Sequence, residues 1–422
     1  MSARIVLATW GSYGDVNPVV GLALELKARG HTPVVVTMEH YREYVTREEI
    51  EFRPLRPALS LSDRELVARI IDARRGTDIL FREILFPALR DAHADIAAAA
   101  EGAELLVSHP TTPAAPIVAE ERGLRWASMA LAPISFFSSH DLPVFPPAPA
   151  LKRLERIPGM ARLLVGAARA YTRRWGGAVR RFRAERGLPP GGNPVLEGQH
   201  SPYLVLALFT RLLATPQPDW PRNVRLTGPV WYNGPQADTL SPELEAFLAA
   251  GPAPVVFTLG SAAVASPGRF YEESVKAARR AGLRAVLLVG EFADNRPASL
   301  VDGDDVLVLP HAPHAALMPR AAVTVHPCGI GTLQQAMRAG RPMLLVPHAH
   351  DQPDNAWRAR RLGVGATIAP WRYRARRVAA ALRDLTTEPA FAERAAAVRQ
   401  AMRAEDGVAN ACDAIEELLA RN

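Results

Sequence analysis

Two α/β domains in tandem, each built on a doubly wound parallel sheet, form the fold class this sequence predicts. Three observations carry it. Short apolar, strand-like runs alternate with helix-period patterns along the whole chain. Each half opens the same way, with an apolar strand, a Gly/Ser loop and a helix: RIVLATWGSYGD near the start answers to VVFTLGSAAVASPG past the middle. The 422 residues also suit two domains of ~200 residues better than one core.

In the first half the spacing predicts strands at Arg4–Thr9, Thr32–Thr37, Leu105–Ser108, Trp126–Leu131 and Tyr203–Leu208. Helices are expected over Pro18–Arg29, which Gly30 would stop, and over Asp63–Arg74, Leu80–Ala100 and Pro113–Arg122. In the second half the strands are Val255–Leu259, Arg284–Val289, Val306–Leu309, Val323–Val325 and Met343–Val346, with helices that include Phe270–Ala281, Thr332–Ala339 and Asn355–Leu362. Gly and Pro cluster in GPVWYNGPQ, so the expected organisation is a first domain over 1–227, a linker at 228–236, a second domain over 237–405, and a C-terminal helix over 406–422 packed at the domain junction. Pro133–Pro158 is too long for an idle connection and is expected to be a mobile, substrate-side loop.

Composition narrows the function. The chain is 48% hydrophobic and 22% charged, and no apolar run approaches the ~20 residues of a membrane span. The opening MSARIVLATWGS turns polar too early for a signal peptide, and two cysteines cannot build a disulfide framework, so a reducing cytoplasm is the expected location. The net charge of +7 raises nucleic acid, yet 50 basic residues stand beside 43 acidic ones and no nucleic-acid motif accompanies them. Only Lys152–Arg186 is locally basic, with eleven Lys and Arg against Glu155 and Glu185; it reads as a solvated helix face or a peripheral membrane contact. Monomer and homodimer both remain open.

Several chemistries fall on their motifs. GSYGD offers Gly11 and Gly14 without the G-x-G-x-x-G spacing of a dinucleotide fold, and neither a Walker A loop nor a G-x-S-x-G elbow occurs. The informative segment is VHPCGIGTLQQAMRAGRPMLLVPHAHDQPDNAWRARRLGVG, from Val325 to Gly365. CGIGT reads as a strand end, a Gly turn and a helix start, whose exposed N–H groups and dipole suit a diphosphate. There Gly329 and Gly331 admit close approach, and Thr332 offers a hydroxyl. The polar loop HAHDQPDN follows a strand at its carboxyl end, where open α/β sheets bind ligands. Asp351 and Gln352 have the donors and acceptors to hold sugar hydroxyls.

In this order and spacing the segment resembles the donor-binding signature of the family 1 glycosyltransferases. The resemblance spans essentially the whole chain: GSYGDVNPVVGLALELKARGHTPVVVT is similar to the family's opening loop and helix, and SPYLVLALFTRLLATPQPDWPRNVRLTGP to the stretch before the linker in its bacterial sterol- and rhamnolipid-type branch. The implied fold is GT-B: two Rossmann-like doubly wound domains facing each other across a cleft, acceptor in the first and donor in the second.

The resemblance then assigns roles. Asp15 becomes the base that deprotonates the acceptor hydroxyl, where plant members carry histidine; a carboxylate within hydrogen-bond reach can do so, although Asp15 also suits an N-cap. An unperturbed carboxylate would lose activity only in acid. Asp351 and Gln352 bind the donor sugar. Ser261, His326, Gly329, Gly331 and Thr332 bind the diphosphate. His311, His314 and Gln335 contact the nucleoside, and glutamine at 335, in place of the family's glutamate, makes dTDP donors as credible as UDP donors. Trp10, Tyr13, Phe136, Phe137 and Phe145 are expected to wall the acceptor pocket, with core packing as their duller role. One departure stands out: Pro327 occupies the place of the family's phosphate-contacting histidine, which either brings in His326 or leaves the phosphates to the CGIGT backbone and Ser261.

The expected activity is inverting, metal-independent transfer of a hexose from UDP-glucose or a dTDP-sugar to a hydroxyl of a small hydrophobic acceptor: a phenolic natural product, sterol or hydroxy lipid. No cofactor is expected beyond the nucleotide sugar, and His348 and His350 lack the further ligands of a metal site. The rivals are a sugar-nucleotide epimerase and a non-catalytic nucleotide-binding relative, the latter motivated by Pro327.

Overall fold

The computed structural model describes residues 2–60, 62–232, 234, 239–298, 300 and 305–421. Residues 233 and 235–236 of the expected linker lie outside the described residues. The chain forms two compact units: Met1–Ser60, Arg75–Tyr232 and Glu405–Asn422 make the first, and Leu61–Arg74 with Asn233–Ala404 makes the second.

The first unit holds β1 (Arg4–Ala8), β2 (Thr32–Thr37), β3 (Glu51–Pro54), β4 (Leu105–Ser108), β5 (Arg125–Ala130), β6 (Leu204–Ala207) and β7 (Val224–Leu226). They form one sheet in the order β3-β2-β1-β4-β5-β6-β7, parallel throughout. The second unit holds β8 (Val255–Thr258), β9 (Ala285–Leu288), β10 (Val306–Leu309), β11 (Val323–His326), β12 (Met343–Leu345) and β13 (Gly365–Thr367), in the order β10-β9-β8-β11-β12-β13, also parallel. Both sheets are therefore doubly wound, and each reverses its winding once: between β1 and β4, and between β8 and β11.

Helices on both faces explain why the central strands read as unbroken apolar runs. Ile5, Val6 and Leu7 of β1 and Val255, Val256 and Phe257 of β8 are all 0% exposed. Each such side chain contributes ~1.5–3 kcal/mol by burial.

The strands the sequence does not announce, β3, β7 and β13, are all sheet edges. EFRP, VRL and GAT carry the short, partly polar character of edges, with only Phe52 and Gly365 buried. The single helix expected over Leu80–Ala100 is broken. Residues Leu80–Leu85 wind as a π-helix, Phe86 N–H donating to Phe81 O at 2.9 Å, and Pro87 ends the ladder before the helix Leu89–Ala99.

Pro133–Pro158 is anchored. Asp219 accepts from Ser138 Oγ at 2.6 Å and from the Ser139 N–H at 2.7 Å, and buried Lys152 pairs with Glu155 at 2.7 Å. The C-terminal helix Gly407–Ala420 belongs to the first unit: Arg29, just past the helix Tyr13–Ala28, bonds Asp413 and Glu416 at 2.6 and 2.7 Å, and Arg125 donates to Leu418 O. The short helix Arg64–Ile70 belongs to the second unit, where Arg64 pairs with Asp294 at 2.5 Å and lies over the Phe292 ring. In the basic stretch Arg183 and Arg186 pair with Glu120 and Glu121, while Leu163 and Tyr171 on the helix Met160–Arg173 stay exposed. No helix among the described residues is long and apolar enough to cross a membrane.

Candidate active site

In the first unit, the loops after β1 and β4 meet at the winding reversal, the place where open α/β sheets bind ligands. The helix Tyr13–Ala28 starts before the Pro18 that its apolar period suggests, with Ser12 at the N-cap and Asp15 at the third position. The Asp15 carboxylate divides its work. Oδ2 accepts the Ser12 N–H at 2.7 Å and lies 3.3 Å from Ser12 Oγ, capping the helix, while Oδ1 faces His109 Nε2 at 3.6 Å. Base and cap are thus compatible roles for one residue. Gly11 makes room for this: its φ of +145° is open to glycine, and a Cβ there would stand 2.3 Å from Oδ2.

His109 is the residue the sequence reading missed. It follows β4 directly in LLVSHPTTP, and the available signal was its position at a strand's carboxyl end next to the switch point. The imidazole is 6% exposed, and burial pushes its pKa down to about 3, so the ring is neutral at physiological pH. Nδ1 meets Thr111 Oγ1 at 2.6 Å, and Thr111 Oγ1 donates to the Trp10 carbonyl.

The expected acceptor wall divides. Trp10 is 4% exposed, its Nε1–H donating to Pro57 O, and Phe136 is 5% exposed, stacked between Trp220 and His200. Both are core side chains in this structure. Tyr13 is exposed and packs edge-on against Tyr41 and Tyr44; Phe137 and Phe145 are half-buried, their centroids 6.1 Å apart.

In the second unit, the turn after β11 leads into the helix Ile330–Ala339, whose N-cap is Gly329; among the described residues no side chain caps it from that position. The loop after β8 reaches the same place. A Cβ on Gly260 would lie 3.7 Å from Thr332 Oγ1 and 4.0 Å from Pro327 Cγ, so Gly260, which precedes Ser261 in the helical turn Gly260–Ala263, meets Pro327 and Thr332 at the helix start. Gly331, Thr332 and Gln335 are half-buried on its first turns.

His326 is 0% exposed at the end of β11, and its Nδ1 accepts the Cys328 N–H at 3.2 Å. It braces the turn from within, and burial with His314 nearby holds its pKa at about 3. Asn355 braces the turn from the other side, donating to Cys328 O at 3.1 Å and to Asp351 Oδ2 at 2.6 Å. Between these braces Cys328 adopts a φ of +72°. Burial raises the Asp351 carboxyl to about 6, against the pull of Asn355 and the Ile330 backbone amide.

Gln352 Oε1 accepts the His348 and Ala349 N–H groups at 2.8 and 3.3 Å, which shapes the loop before it. His311 is exposed in the loop after β10, while half-buried His314 opens the short helix His314–Leu317 with its pKa lowered to about 4 by burial and by His311. Among the described residues no group of three or more His, Cys, Asp and Glu side chains is placed to hold a metal ion.

The comparisons agree with this architecture. Residues 5–100 match the glycosyltransferase family 28 N-terminal domain, and residues 290–418 the erythromycin biosynthesis protein CIII-like C-terminal domain. The chain belongs to the family 1 glycosyltransferases of the natural-product type and has their two-domain GT-B fold.

Among its relatives, O-mycaminosyltylonolide 6-deoxyallosyltransferase of Streptomyces fradiae is 35% identical over 98% of this chain and 97% of its own length. Vancomycin aglycone glucosyltransferase of Amycolatopsis orientalis is 31% identical over 86% of this chain and 85% of its own length. The crystal structure of the glycotransferase of kitacinnamycin superposes with a TM-score of 0.72 at 23% identity, covering 99% of this chain and all of that one. Transfer of a sugar from a nucleotide-sugar donor is therefore this protein's class of reaction.

Proposed function

We propose that the protein catalyses inverting, metal-independent transfer of a hexose or deoxyhexose from a UDP- or dTDP-sugar to a hydroxyl of a small, mostly apolar natural product. The single observation that carries this reading is the Asp15 carboxylate, fixed by Ser12 and Gly11 with one oxygen turned to His109 at the first sheet's switch point.

A held carboxylate takes the acceptor proton as the alcohol oxygen attacks the anomeric carbon from the face opposite the leaving diphosphate. On the second unit, the helix dipole and N–H groups at Gly329–Thr332, with Ser261, stabilise charge developing on that diphosphate. Asp351 and Gln352 hold the sugar hydroxyls, and His311, His314 and Gln335 the nucleoside. The 35% identity to a 6-deoxyallosyltransferase and glutamine at 335 favour deoxysugar and dTDP donors over glucose alone.

Tyr13, Phe137 and Phe145 keep ring surface accessible and are the aromatic residues proposed for the acceptor. Mass spectrometry of reactions pairing UDP-glucose and dTDP-rhamnose with phenolic, macrolide and hydroxy-lipid acceptors tests the reading. A sugar adduct formed without divalent metal, with inverted anomeric configuration by NMR, supports it. Retained configuration, or dependence on a divalent metal, would overturn it.

The exposed Leu163 and Tyr171 amid arginines support a further reading, peripheral contact with an anionic bilayer. Salt-reversible sedimentation with phosphatidylglycerol vesicles is expected, and its absence would remove that reading.

A further inference from the structure

Hydrogen bonding around His109 determines which ring nitrogen carries the proton. Thr111 Oγ1 has one proton and stands 2.5 Å from the Trp10 carbonyl oxygen, which can only accept. The hydroxyl therefore donates to Trp10 and meets His109 Nδ1, at 2.6 Å, as an acceptor. Nδ1 keeps its hydrogen, and in the neutral ring Nε2 is a bare lone pair. The Thr111 backbone N–H also points at Nδ1, but at 3.4 Å it is the weaker contact. Nε2 faces Asp15 Oδ1 at 3.6 Å, so two proton acceptors confront each other just beyond bonding distance.

We infer that Thr111 is a positioning residue: it locks the His109 tautomer so that the proton Asp15 takes from the acceptor is hydrogen-bonded to Nε2. The inference rests on Asp15 as the base. In the step, the acceptor O–H bond breaks as its oxygen bonds the anomeric carbon. The proton goes to Asp15 Oδ1, shared with Nε2, and the electron pair of the broken anomeric C–O bond leaves with the diphosphate.

The tautomer sets the sign of the effect. A lone pair facing Oδ1 favours a proton on the carboxylate and makes it the stronger base; an N–H facing it favours the ionised form and makes it the weaker one. Tyr41 also faces the carboxylate, but it is a buried phenol whose pKa is raised, so it stays neutral. Ser12, which holds Oδ2, does not titrate.

Thr111→Val removes the hydroxyl and leaves the backbone N–H at position 111 as the partner of Nδ1, which turns the ring to the Nε2–H tautomer. The experiment is 15N NMR of histidine-labelled full-length protein at neutral pH, assigned with His109→Asn, alongside steady-state transfer. The expected result is a protonated Nδ1 and unprotonated Nε2 in the native protein, reversed in Thr111→Val.

Thr111→Val should also lose ~10–100-fold in kcat with little change in donor KM, and its acid limb should move to lower pH. Thr111→Ser, which keeps the hydroxyl, should recover most of the rate. A native ring protonated at Nε2 would overturn the inference, as would Thr111→Val with native kcat and pH profile. The nitrogen readout needs no turnover, so it decides the tautomer even if the transfer reading fails.

Discussion

At both winding reversals a helix begins beside a carboxylate, but the carboxylate comes from a different place. In the first unit Asp15 is part of the helix it caps and is held by Ser12. In the second unit the helix Ile330–Ala339 begins at a glycine, and the carboxylate near its first amide, Asp351, belongs to the loop after β12. A carboxylate built into the helix occupies that N-terminus with one oxygen and, in the proposed reaction, uses the other for proton chemistry. A carboxylate lent by a neighbouring loop, its pKa raised to about 6, takes the Ile330 amide, and in the proposed reaction the amides beyond it, with Thr332 and Ser261, hold the diphosphate. On the proposed reading, one topology serves two chemistries, set apart by where a single acidic side chain is attached.

The largest expected effect breaks the first half of this comparison. Asp15→Asn should keep the cap but lose the base, lowering kcat by ~10²–10⁴-fold at unchanged donor KM in a steady-state assay. Gly11→Ala should come next in size, since its Cβ would meet Asp15 Oδ2 at 2.3 Å in a backbone conformation that favours glycine. A loss of ~1–3 kcal/mol in denaturant unfolding and a fall in kcat are expected together; an unchanged kcat would mean that the carboxylate position is unimportant.

Buried histidines sharpen the comparison through pH. His109, His200, His314, His326, His348 and His350 all have pKa values pushed below 6.5 by burial, to about 3 or 4. Each folded pKa lies below its unfolded value, so their contribution is complete above pH ~6.5 and declines as pH falls, by at most ~1.4 kcal/mol per pH unit per histidine. Urea unfolding across pH 4.5–8 should show stability dropping in acid.

Asp351 runs the other way. Its folded pKa, about 6, exceeds the ordinary 3.8, so the ionised form costs stability as pH rises through that range. Asp351→Asn should therefore stabilise the protein by ~1–2 kcal/mol at pH 7.5 while impairing transfer, and the stability gain should shrink as pH falls through about 6.

Much of this was legible in the sequence because central parallel strands announce themselves. RIVLA, LLVS and VVFT are apolar on both faces, and Gly turns mark the helix starts beyond the strands. Edges such as GAT carry no such run, so β3, β7 and β13 emerged only with pairing. Asp15, Asp351 and the CGIGT turn were visible as local motifs. His109 was not, because its partner lies 94 positions earlier, and only the β1–β4 pairing brings the two loops together. For Trp10 and Phe136 the sequence leaves acceptor wall and core packing side by side, since aromatic residues near a site look alike in sequence, and burial against Pro57 and Trp220, which depends on tertiary packing, places both in the core.

The most direct test of the division between the two units is calorimetric binding of UDP and dTDP to the native protein, Asp15→Asn and Thr332→Val. Nucleotide affinity should be unchanged in Asp15→Asn and reduced in Thr332→Val. Loss of nucleotide affinity in Asp15→Asn, with Thr332→Val binding normally, would contradict the account.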